Sequence, residues 1–503
     1  NNGMMPSDGS STETVRLLRV TPGNLRHSHL YVNRHYDFFP PDCIGGPKRS
    51  ADGRTIDIHL DGLDRTIRTD IGCDTKTGKP RGFLRARGWV RRFFEHHGVK
   101  PGSTLALERL SERAYRLSVQ PSEQTAPLEC AEFFAGIGLV RLALERQGWR
   151  VVFANDIDPK KAEMYRHNWP NDGHLVVGDV HALNADDVPS CTLFTASFPC
   201  NDLSIAGRWE GLHGKESSSF WGFVQIIRDM GQRRPPLVML ENVVGFLISH
   251  GGRDFEKALL ALNELGYTVD AILLNATHWV PQSRPRLFVL AKRDEGQETR
   301  SCALMSDARP ESLFNFINDH PNIRWDIRDV PPLPQARARL ADIIEDLPDD
   351  DPHWWDQKRA DYFMNQMSAK HEEQARRMMA GKSYTYATAF RRVRHEKSMA
   401  ELRTDGIAGC LRTPRGGSGR QILLKAGRGK YKVRLLTARE CARLQGVPDS
   451  YVIDVPLNQA LFGFGDAVCV PAVEWIISNY LTPITTVLPN SRFLANKAKD
   501  HCI

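Results

Sequence analysis

An alternation of short apolar runs with amphipathic stretches begins at Leu128 and constrains the fold more than any other feature of the chain. Helical spacing is seen over 139–147, 437–444 and 467–480. The predicted strands are Cys130 to Phe134, Val151 to Asn155, Leu175 to Val177, Thr192 to Ser197, Leu237 to Glu241, Val269 to Leu274 and Leu287 to Ala291. Such alternation is typical of a mostly parallel sheet covered by helices on both faces. The sequence therefore predicts an α/β domain.

The alternation occupies only part of the chain. Short strands and turns precede it, which predicts a compact, mostly β domain, and a polar stretch bounded by prolines predicts a linker. After Arg293, basic sequence punctuated by Pro and Gly predicts an inserted lobe. The predicted divisions are 1–120 for the β domain, 121–127 for the linker, 128–293 with 431–485 for the α/β domain, 294–430 for the lobe and 486–503 for the tail.

Composition excludes two broad classes of protein. The chain has 503 residues, of which 41% are hydrophobic and 25% charged, and its mean hydropathy is -0.40. A chain of this size and composition can bury a sizeable core, so disorder throughout is excluded. No apolar run approaches the roughly 18 residues of a membrane helix, so we expect no membrane span. The ten cysteines are scattered singly, which favours a reducing cytoplasm and indicates no metal site.

Positive charge is concentrated in two regions. Residues 1–120 hold 20 Lys+Arg and 13 Asp+Glu, a net of +7, and residues 376–430 hold 14 and 3, a net of +11. Two separate basic regions suggest a polyanion that is contacted in two places. Two solvated basic faces would explain the charge equally well, so the residues that carry chemistry must decide.

The residues just after the predicted strands suggest a nucleoside-bearing cofactor. Ligands of such sheets bind outside the carboxyl ends of the strands. The first strand runs into Phe134-Ala-Gly136-Ile137-Gly138, where glycines let the backbone approach a ligand, although a tight turn without a ligand fits as well. Asp156-Ile157 follows the second strand and supplies a carboxylate for ribose hydroxyls. Asp179-Val180 follows the third and suits an adenine ring, but a helix N-cap is the alternative for this aspartate.

Three further segments carry reactive or charged side chains to the same edge. The fourth strand leads into Pro199-Cys200, and a cysteine beside a cofactor acts as a nucleophile when its thiolate is stabilised. The fifth strand ends at Glu241, and the last predicted strand is entered through Arg284 and Arg286. Most single cysteines are merely buried, but a thiol, a carboxylate and two arginines together are unusual for a core.

Taken together, these motifs resemble those of the DNA cytosine carbon-5 methyltransferases over about residues 128–480. The shared motifs are Phe-x-Gly-x-Gly, Pro-Cys, Glu-Asn-Val, Gln-x-Arg-x-Arg, the stretch 434–449 and the stretch 465–468. The resemblance implies a Rossmann-like sheet that binds S-adenosyl-L-methionine. Asp466 stands where the family usually has Asn, which concerns a cofactor contact, and Asn201 stands where Gln is common, which concerns the catalytic loop.

The resemblance also implies roles for individual residues. Cys200 would attack carbon 6 of the cytosine, Glu241 would hydrogen-bond ring nitrogen 3, and Arg284 and Arg286 would hold the base oxygen and the carboxylate. The base would be flipped out of the duplex. The residues expected to bind the cofactor are Phe134, Gly136, Ile137, Gly138, Asp156, Ile157, Asp179, Val180, Pro199, Asp466 and Val468.

Two regions are expected to contact duplex DNA. The inserted lobe occupies the position of the family's target-recognition domain, and its candidate contacts are Arg412, Thr413, Arg415 and Arg420. For any one arginine, phosphate contact without base reading is the favoured interpretation. The N-terminal segment weakly resembles the pseudobarrel DNA-binding fold of plant transcription factors, with candidate arms at 48–54 and 76–85 and candidate contacts Lys79, Arg81 and Arg85. Docking to a protein is the alternative for that domain.

The function expected from the resemblance is sequence-specific methylation of cytosine in duplex DNA, as the modification enzyme of a bacterial restriction system. We expect a monomer in the cytoplasm, located at the nucleoid through its substrate, with a cognate restriction endonuclease as functional partner. RNA methylation is a close alternative, against which the size and charge of the lobe count. A repressor built on a relic sheet is the alternative from another class, but a protein without catalysis has no physical need for Cys200 and Glu241 together.

Overall fold

A computed structural model describes residues 14–33, 35–46, 52–120, 127–199, 218–336, 338–415, 419–486 and 488. The chain divides into two compact units, Asn1–Ala126 and Pro127–Ile503. Each unit has its own hydrophobic core.

The first unit is built on a five-stranded sheet of order β1-β4-β5-β2-β3. All neighbouring strands are antiparallel except β2 and β5. Its elements are β1 (Val15–Arg19), α1 (Pro22–His27), β2 (Ile56–Leu60), β3 (Arg65–Thr69), α2 (Val90–His96), β4 (Thr104–Arg109) and β5 (Ala114–Val119). Helix α2 forms where apolar residues recur at helical spacing, and it buries Val90, Phe93 and Phe94. The unit is mostly β in its described part, while the pseudobarrel fold stays a prediction.

The second unit contains a seven-stranded sheet of order β11-β12-β10-β9-β6-β7-β8. Strand β12 runs antiparallel to both of its neighbours, and the other pairs are parallel. The strands are β6 (Glu129–Phe133), β7 (Arg150–Asp156), β8 (Leu175–Val177), β9 (Leu193–Ala196), β10 (Leu237–Val243), β11 (Tyr267–Asn275) and β12 (Pro285–Arg293). The predicted Rossmann-like sheet is confirmed, with each strand within three residues of its predicted bounds.

Helices cover both faces of this sheet. Two hydrophobic clusters pack on it, one mainly with α3, α12, α13 and α14 and the other mainly with α5, α7 and α8. The helices of the unit are α3 (Leu139–Arg146), α4 (Pro159–Asn168), α5 (Ser218–Met230), α6 (Gly245–Ile248), α7 (Arg253–Glu264), α8 (Glu311–Asp319), α9 (Leu340–Ile343), α10 (Gln357–Met364), α11 (Ala369–Met379), α12 (Ala438–Leu444), α13 (Leu457–Asp466), α14 (Val470–Ile476) and α15 (Thr482–Thr485). This arrangement leaves the carboxyl ends of the strands to form a site.

The inserted segment contains a second sheet that sequence reasoning did not predict. Strands β13 (Thr385–Arg394), β14 (Lys397–Arg403), β15 (Ile422–Gly427) and β16 (Lys430–Leu435) form an antiparallel sheet of order β14-β13-β15-β16. Alanines at 387, 389, 400 and 426 supply much of its buried face, and alanine is depleted in strands, so propensity gave no strand signal.

The compact part of the lobe begins later than residue 294. Helix α8 packs Leu313, Phe316 and Ile317 into the core of the seven-stranded sheet, and Trp325 is bridged to Val269 of β11. The segment after Arg293 therefore first packs its apolar residues on the seven-stranded sheet, and the chain enters the lobe only afterwards.

One helical segment, Leu457–Thr485, is long and apolar enough by length and composition to cross a membrane. Polar residues interrupt this segment, so the sequence shows no continuous apolar run there. The protein buries 67% of its most apolar window, and core helices pass the same test, so the segment is weak support for a span.

Candidate active site

The loop between β6 and α3 has an unusual backbone conformation. Phe134, Gly136 and Gly138 all adopt positive φ, at 53°, 55° and 85°. A Cβ on Gly138 would overlap the ring of Trp169, whereas a Cβ on Gly136 would meet no protein atom within 4 Å. The glycine at 138 is thus required by packing, and the open side of Gly136 leaves room for a ligand to approach the backbone.

A buried carboxylate supports this loop. Asp156 ends β7 and accepts hydrogen bonds from the backbone N–H of Gly136 at 2.7 Å and of Asp158 at 2.8 Å. Burial raises the pKa of Asp156, and these hydrogen bonds act in the opposite direction. Next to it, the Ile157 side chain is 64% exposed, which is unusual for isoleucine after a buried strand. A carboxylate, an exposed apolar side chain and an open glycine together fit a nucleoside.

Three of the side chains expected to bind the cofactor lie in the core instead. Ile137, Val180 and Val468 are at most 3% exposed and belong to the hydrophobic clusters of the sheet. The carbonyl of Ile137 accepts a hydrogen bond from the hydroxyl of Tyr451. Burial of apolar surface accounts for the position of these side chains, and their part in cofactor binding stays a prediction.

Asp179 takes the alternative role that its sequence position allowed. Its carboxylate accepts hydrogen bonds from the backbone N–H and the ring Nδ1 of His181, at 2.9 and 2.8 Å, as the N-cap of a helical turn. The hydrogen bond from the backbone N–H is the main reason why the pKa of Asp179 is lowered. More than half of the side chain is exposed, so the cap leaves this carboxylate accessible to a ligand.

The carboxylate of Asp466 forms an ion pair that sequence reasoning missed. Lys161, in the first turn of α4, donates to the Asp466 carboxylate at 2.7 Å. A lysine near a helix N-terminus opposes the helix dipole, so its position was an available signal. Glu132, the buried one of the two glutamates of β6, was also missed, and burial raises its pKa to about 8.

The carboxyl end of β10 carries a buried acid held by an arginine. Arg286 Nε lies 3.2 Å from Glu241 Oε1, and Glu241 is only 7% exposed. Burial raises the pKa of Glu241, and the positive charges of Arg286 and Arg284 act in the opposite direction. Glu241 therefore keeps its proton to higher pH than an exposed glutamate does, which suits a hydrogen-bond donor.

Arg284, which was expected to help hold the base oxygen and the carboxylate, is bonded to backbone carbonyls. Its guanidinium donates to the carbonyls of Leu411, Gly465 and Ala467, at 2.8, 2.9 and 2.6 Å. The side chain is 2% exposed, so these carbonyls are its partners in the protein interior. These hydrogen bonds tie the 411 segment to the end of α13, and the expected role of Arg284 toward the base or the carboxylate stays a prediction.

The thiol of another cysteine, Cys410, lies close to both Arg284 and Arg286. Cys410 Sγ is 3.4 Å from Arg284 and 4.0 Å from Arg286. Burial by itself raises the pKa of Cys410, but the guanidinium groups of Arg284, Arg286 and Arg412 together lower it below the usual 9.0. Sequence reasoning did not single out this cysteine, since its neighbours are far away along the chain.

The register of the sheet relates Glu241 to the segment that precedes Cys200. Leu240 of β10 pairs with Ala196 of β9, and the two strands are parallel, so Glu241 lies beside Ser197. Pro199 is exposed, and Cys200 lies outside the described residues. Among the residues that are described, no group of three His, Cys, Asp or Glu side chains is placed to hold a metal ion.

The family assignment rests on comparison with known proteins. The profile of the family described as C-5 cytosine-specific DNA methylase matches residues 128–481. The chain belongs to this family. The match covers the seven-stranded sheet and the inserted lobe, so this part of the chain is a cytosine-5 DNA methylase, and its cofactor is S-adenosylmethionine.

The similarity to curated relatives of the methylase extends over most of each relative's length. Type II methyltransferase M.DsaV of Dactylococcopsis salina is 28% identical over 71% of this chain and 87% of the relative. Type II methyltransferase M.HhaI of Haemophilus parahaemolyticus is 27% identical over 71% and 95%. A solved structure of the S. pombe Dnmt2 methyltransferase is 20% identical and aligns with a TM-score of 0.48 over 71% of this chain and 99% of that one.

The candidate DNA contacts of the methylase differ in their surroundings. Arg412 and Arg415 are exposed, and Thr413 is half-buried. Arg420 donates to Asn458 Oδ1 at 2.8 Å and so fixes the loop to α13. The positive charge of Arg412 acts on Cys410, as do the charges of Arg284 and Arg286.

In the first unit, the three candidate DNA contacts differ in exposure and in their hydrogen bonds. Lys79 is exposed and Arg81 half-buried, but Arg85 donates to both oxygens of the buried Asp70, at 2.7 and 3.0 Å. This ion pair with a buried carboxylate gives Arg85 a structural role, and its contact with DNA stays a prediction. Residues 48–51 of the first predicted arm lie outside the described residues.

The predicted role of the Gly136 loop in cofactor binding permits a matched test. Gly136→Ala should weaken S-adenosylmethionine binding at least tenfold, because a methyl group would stand where the ligand approaches the backbone. Gly148→Ala is the control, since Gly148 also has positive φ (83°) and open space but follows α3 away from the loop. Both should lose about 1 kcal/mol of stability. Isothermal titration calorimetry with the cofactor checks this, and equal affinities would place the cofactor elsewhere.

Proposed function

We propose that the chain is a sequence-specific methyltransferase for cytosine in duplex DNA, acting through a covalent bond between Cys200 and carbon 6 of the base. The observation that carries the proposal is the buried Glu241, whose pKa is raised by burial and which Arg286 holds at the strand end beside the Cys200 segment. A buried acid that keeps its proton is suited to a ring nitrogen and has little use in a core.

Carbon 5 of cytosine is a weak nucleophile until carbon 6 has been attacked. The Cys200 thiolate adds to carbon 6, and Glu241 donates a hydrogen bond to ring nitrogen 3, which offsets the negative charge that develops on the ring. Arg286 keeps the Glu241 carboxyl in place. Arg284 acts one step away, since it holds the segment that carries Cys410 and Arg412.

S-adenosylmethionine supplies the electrophilic methyl group that carbon 5 receives. Gly136, Asp156, Ile157 and Asp179 would hold it, with the Lys161–Asp466 pair at the rim. After transfer, carbon 5 loses its proton to a base, with water the simplest acceptor, and the bond from carbon 6 to sulfur breaks. The thiolate is thereby regenerated.

The target carbon is enclosed in the duplex, so the base must leave the stack, at a cost of roughly a few kcal/mol. We assign the clamp to the inserted lobe as a target-recognition domain, with Arg412 and Arg415 as its exposed contacts beside the active site. The N-terminal unit would be a further DNA contact through Lys79 and Arg81.

A role as the modification enzyme of a restriction system is supported by relatives that are named Type II methyltransferases and are covered over most of their length. We further propose a bacterial cytoplasmic monomer at the nucleoid, since flipping one base needs no symmetric partner. A restriction endonuclease of the same specificity would be its functional partner.

The decisive experiment uses duplex DNA that contains carbon-5-fluorinated cytosine, with radiolabelled S-adenosylmethionine. Fluorine cannot leave as a proton does, so the enzyme should remain attached to DNA through Cys200 in a denaturation-resistant adduct. Cys200→Ser should give no adduct but still bind DNA. An adduct that survives in Cys200→Ser would contradict the assignment of the nucleophile. Label transferred to RNA and to no duplex would favour the RNA substrate instead.

A further inference from the structure

A hairpin of the lobe extends beyond the four-stranded sheet. Strand β13 pairs with β15 only from Thr385 to Ala389, but with β14 as far as Arg394. Among the described strands, residues 390–394 and 397–401 therefore form a ribbon with two strands only. At about 3.4 Å per residue, it projects roughly 17 Å from the sheet. We call residues 390–401 the ribbon.

The base of the ribbon is anchored, so its direction is fixed. Arg391 Nε donates to Gln366 Oε1 at 3.0 Å, and its guanidinium lies over the Trp355 ring at 5.6 Å. On the other strand, the backbone N–H of Ala400 donates to the carbonyl of Gln366 at 3.0 Å. Both strands are thus attached to the segment between α10 and α11.

The tip closes in a two-residue turn with a defined shape. His395 and Glu396 both have positive φ, at 48° and 63°, as a type I′ turn requires. This turn follows the right-handed twist of the strands and keeps them paired to the end. Residues 392–398 are all exposed, including Val393 at 69%.

One face of the ribbon is basic. The register pairs Arg392 with Met399 and Arg394 with Lys397, which places these side chains opposite the face that carries Ala389 and Ala400 into the lobe core. The Arg392 guanidinium lies over the Phe390 ring at 5.4 Å. The ribbon holds four Arg and Lys residues and two Glu residues, a net charge of +2. Arg394 forms an ion pair with one of the two glutamates, Glu401.

We propose that the ribbon enters a groove of the duplex as a second DNA contact, separate from the 412–420 segment. The inference rests on the proposed function. The major groove, about 12 Å wide, admits a two-stranded ribbon, and its phosphate walls suit a basic face. Arg392 and Lys397, on the basic face, neutralise phosphates of the groove walls. The charge favours DNA over a protein partner, since the exposed apolar surface is a single valine.

The test removes two charges from the ribbon and, as a control, two from elsewhere in the lobe. Arg392→Ala/Lys397→Ala is compared with Arg376→Ala/Arg377→Ala, whose arginines are exposed on α11 and paired with glutamates of the same helix. Both proteins lose the same net charge. Neither change touches a buried group, and equal thermal midpoints confirm intact folding.

Affinity for duplex DNA is measured by fluorescence anisotropy over a series of salt concentrations. Loss of two phosphate contacts should weaken binding roughly thirtyfold at about 0.15 M salt and reduce the slope of log K against log salt by about 1.8. Hydroxyl-radical footprinting should show one protected patch lost at a single side of the target cytosine. The control should keep the affinity, slope and footprint of the parent protein to within twofold.

Two results would overturn the inference. If the ribbon variant binds as the control does, the ribbon makes no DNA contact, and a protein partner becomes the better interpretation of its face. If affinity falls equally in both variants, the effect is one of overall charge. Adduct formation on fluorinated DNA separates this from the proposed function: a parent protein that forms the adduct, with an inert ribbon, refutes the ribbon contact alone, whereas no adduct and no duplex binding refutes both.

Discussion

Replacing Glu241 by alanine should lower kcat/KM for methyl transfer roughly 100- to 1,000-fold, the usual loss for one preorganised donor that offsets charge in the transition state. The carboxyl is buried and held by Arg286, so neither bulk water nor another described side chain of the strand end can replace it without rearrangement. The cofactor affinity should stay unchanged, since the Gly136 loop is supported by Asp156 and not by Glu241. Initial rates with saturating cofactor and varied duplex measure the loss.

Glu241→Gln separates the hydrogen bond from the charge. Since the pKa of Glu241 is raised, its proton is present below that raised value and is lost as pH rises through it. The parent enzyme should therefore show a falling limb of kcat on the alkaline side. The amide of Gln donates at every pH, so this limb should disappear in the variant. A limb unchanged in Glu241→Gln, or full activity in Glu241→Ala, would remove Glu241 from the mechanism.

The strand ends could be predicted because the signal is local. Phe134 to Gly138, Asp156 and Glu241 each follow an apolar run, and a parallel sheet brings the ends of such runs to one edge whatever the loops do. The sheet and the residues at its edge could therefore be predicted from the sequence. Asp156 and Gly136 proved to be bonded to each other, which their spacing alone did not require.

The remaining parts of the site depend on contacts between distant segments. Arg284 meets Leu411 and Gly465, and Lys161 meets Asp466, across more than 100 residues of chain in each case. Nothing in the local pattern distinguishes an arginine that binds substrate from one that holds carbonyls together. For the same reason, the sequence could not show that the side chain of Ile137 is buried in the core.

Arg434→Met should destabilise the second unit by roughly 3–5 kcal/mol, because it leaves a buried carboxylate unpaired. Arg434 and Glu440 form an ion pair in which both side chains are fully buried. Glu440 also caps α12 together with Thr437, and Trp354 covers the guanidinium at 4.9 Å. The pair joins α12 to β16 of the four-stranded sheet. Because α12 also packs in the core of the seven-stranded sheet, loss of the pair should weaken that packing as well. Urea unfolding followed by tryptophan fluorescence measures the change.

The double variant Arg434→Met/Glu440→Gln tests the cause. Glutamine keeps the helix cap but carries no charge, so the double variant should recover most of the stability lost by Arg434→Met. The pH dependence gives a second check. Burial already raises the pKa of Glu440, and removal of Arg434 should raise it further. An acid with a raised pKa in the folded state is stable when protonated, so the deficit of Arg434→Met should be small near pH 5 and grow as pH rises. A deficit that is equal at both ends of this range, or no recovery in the double variant, would indicate lost packing around Trp354 and not an unpaired charge.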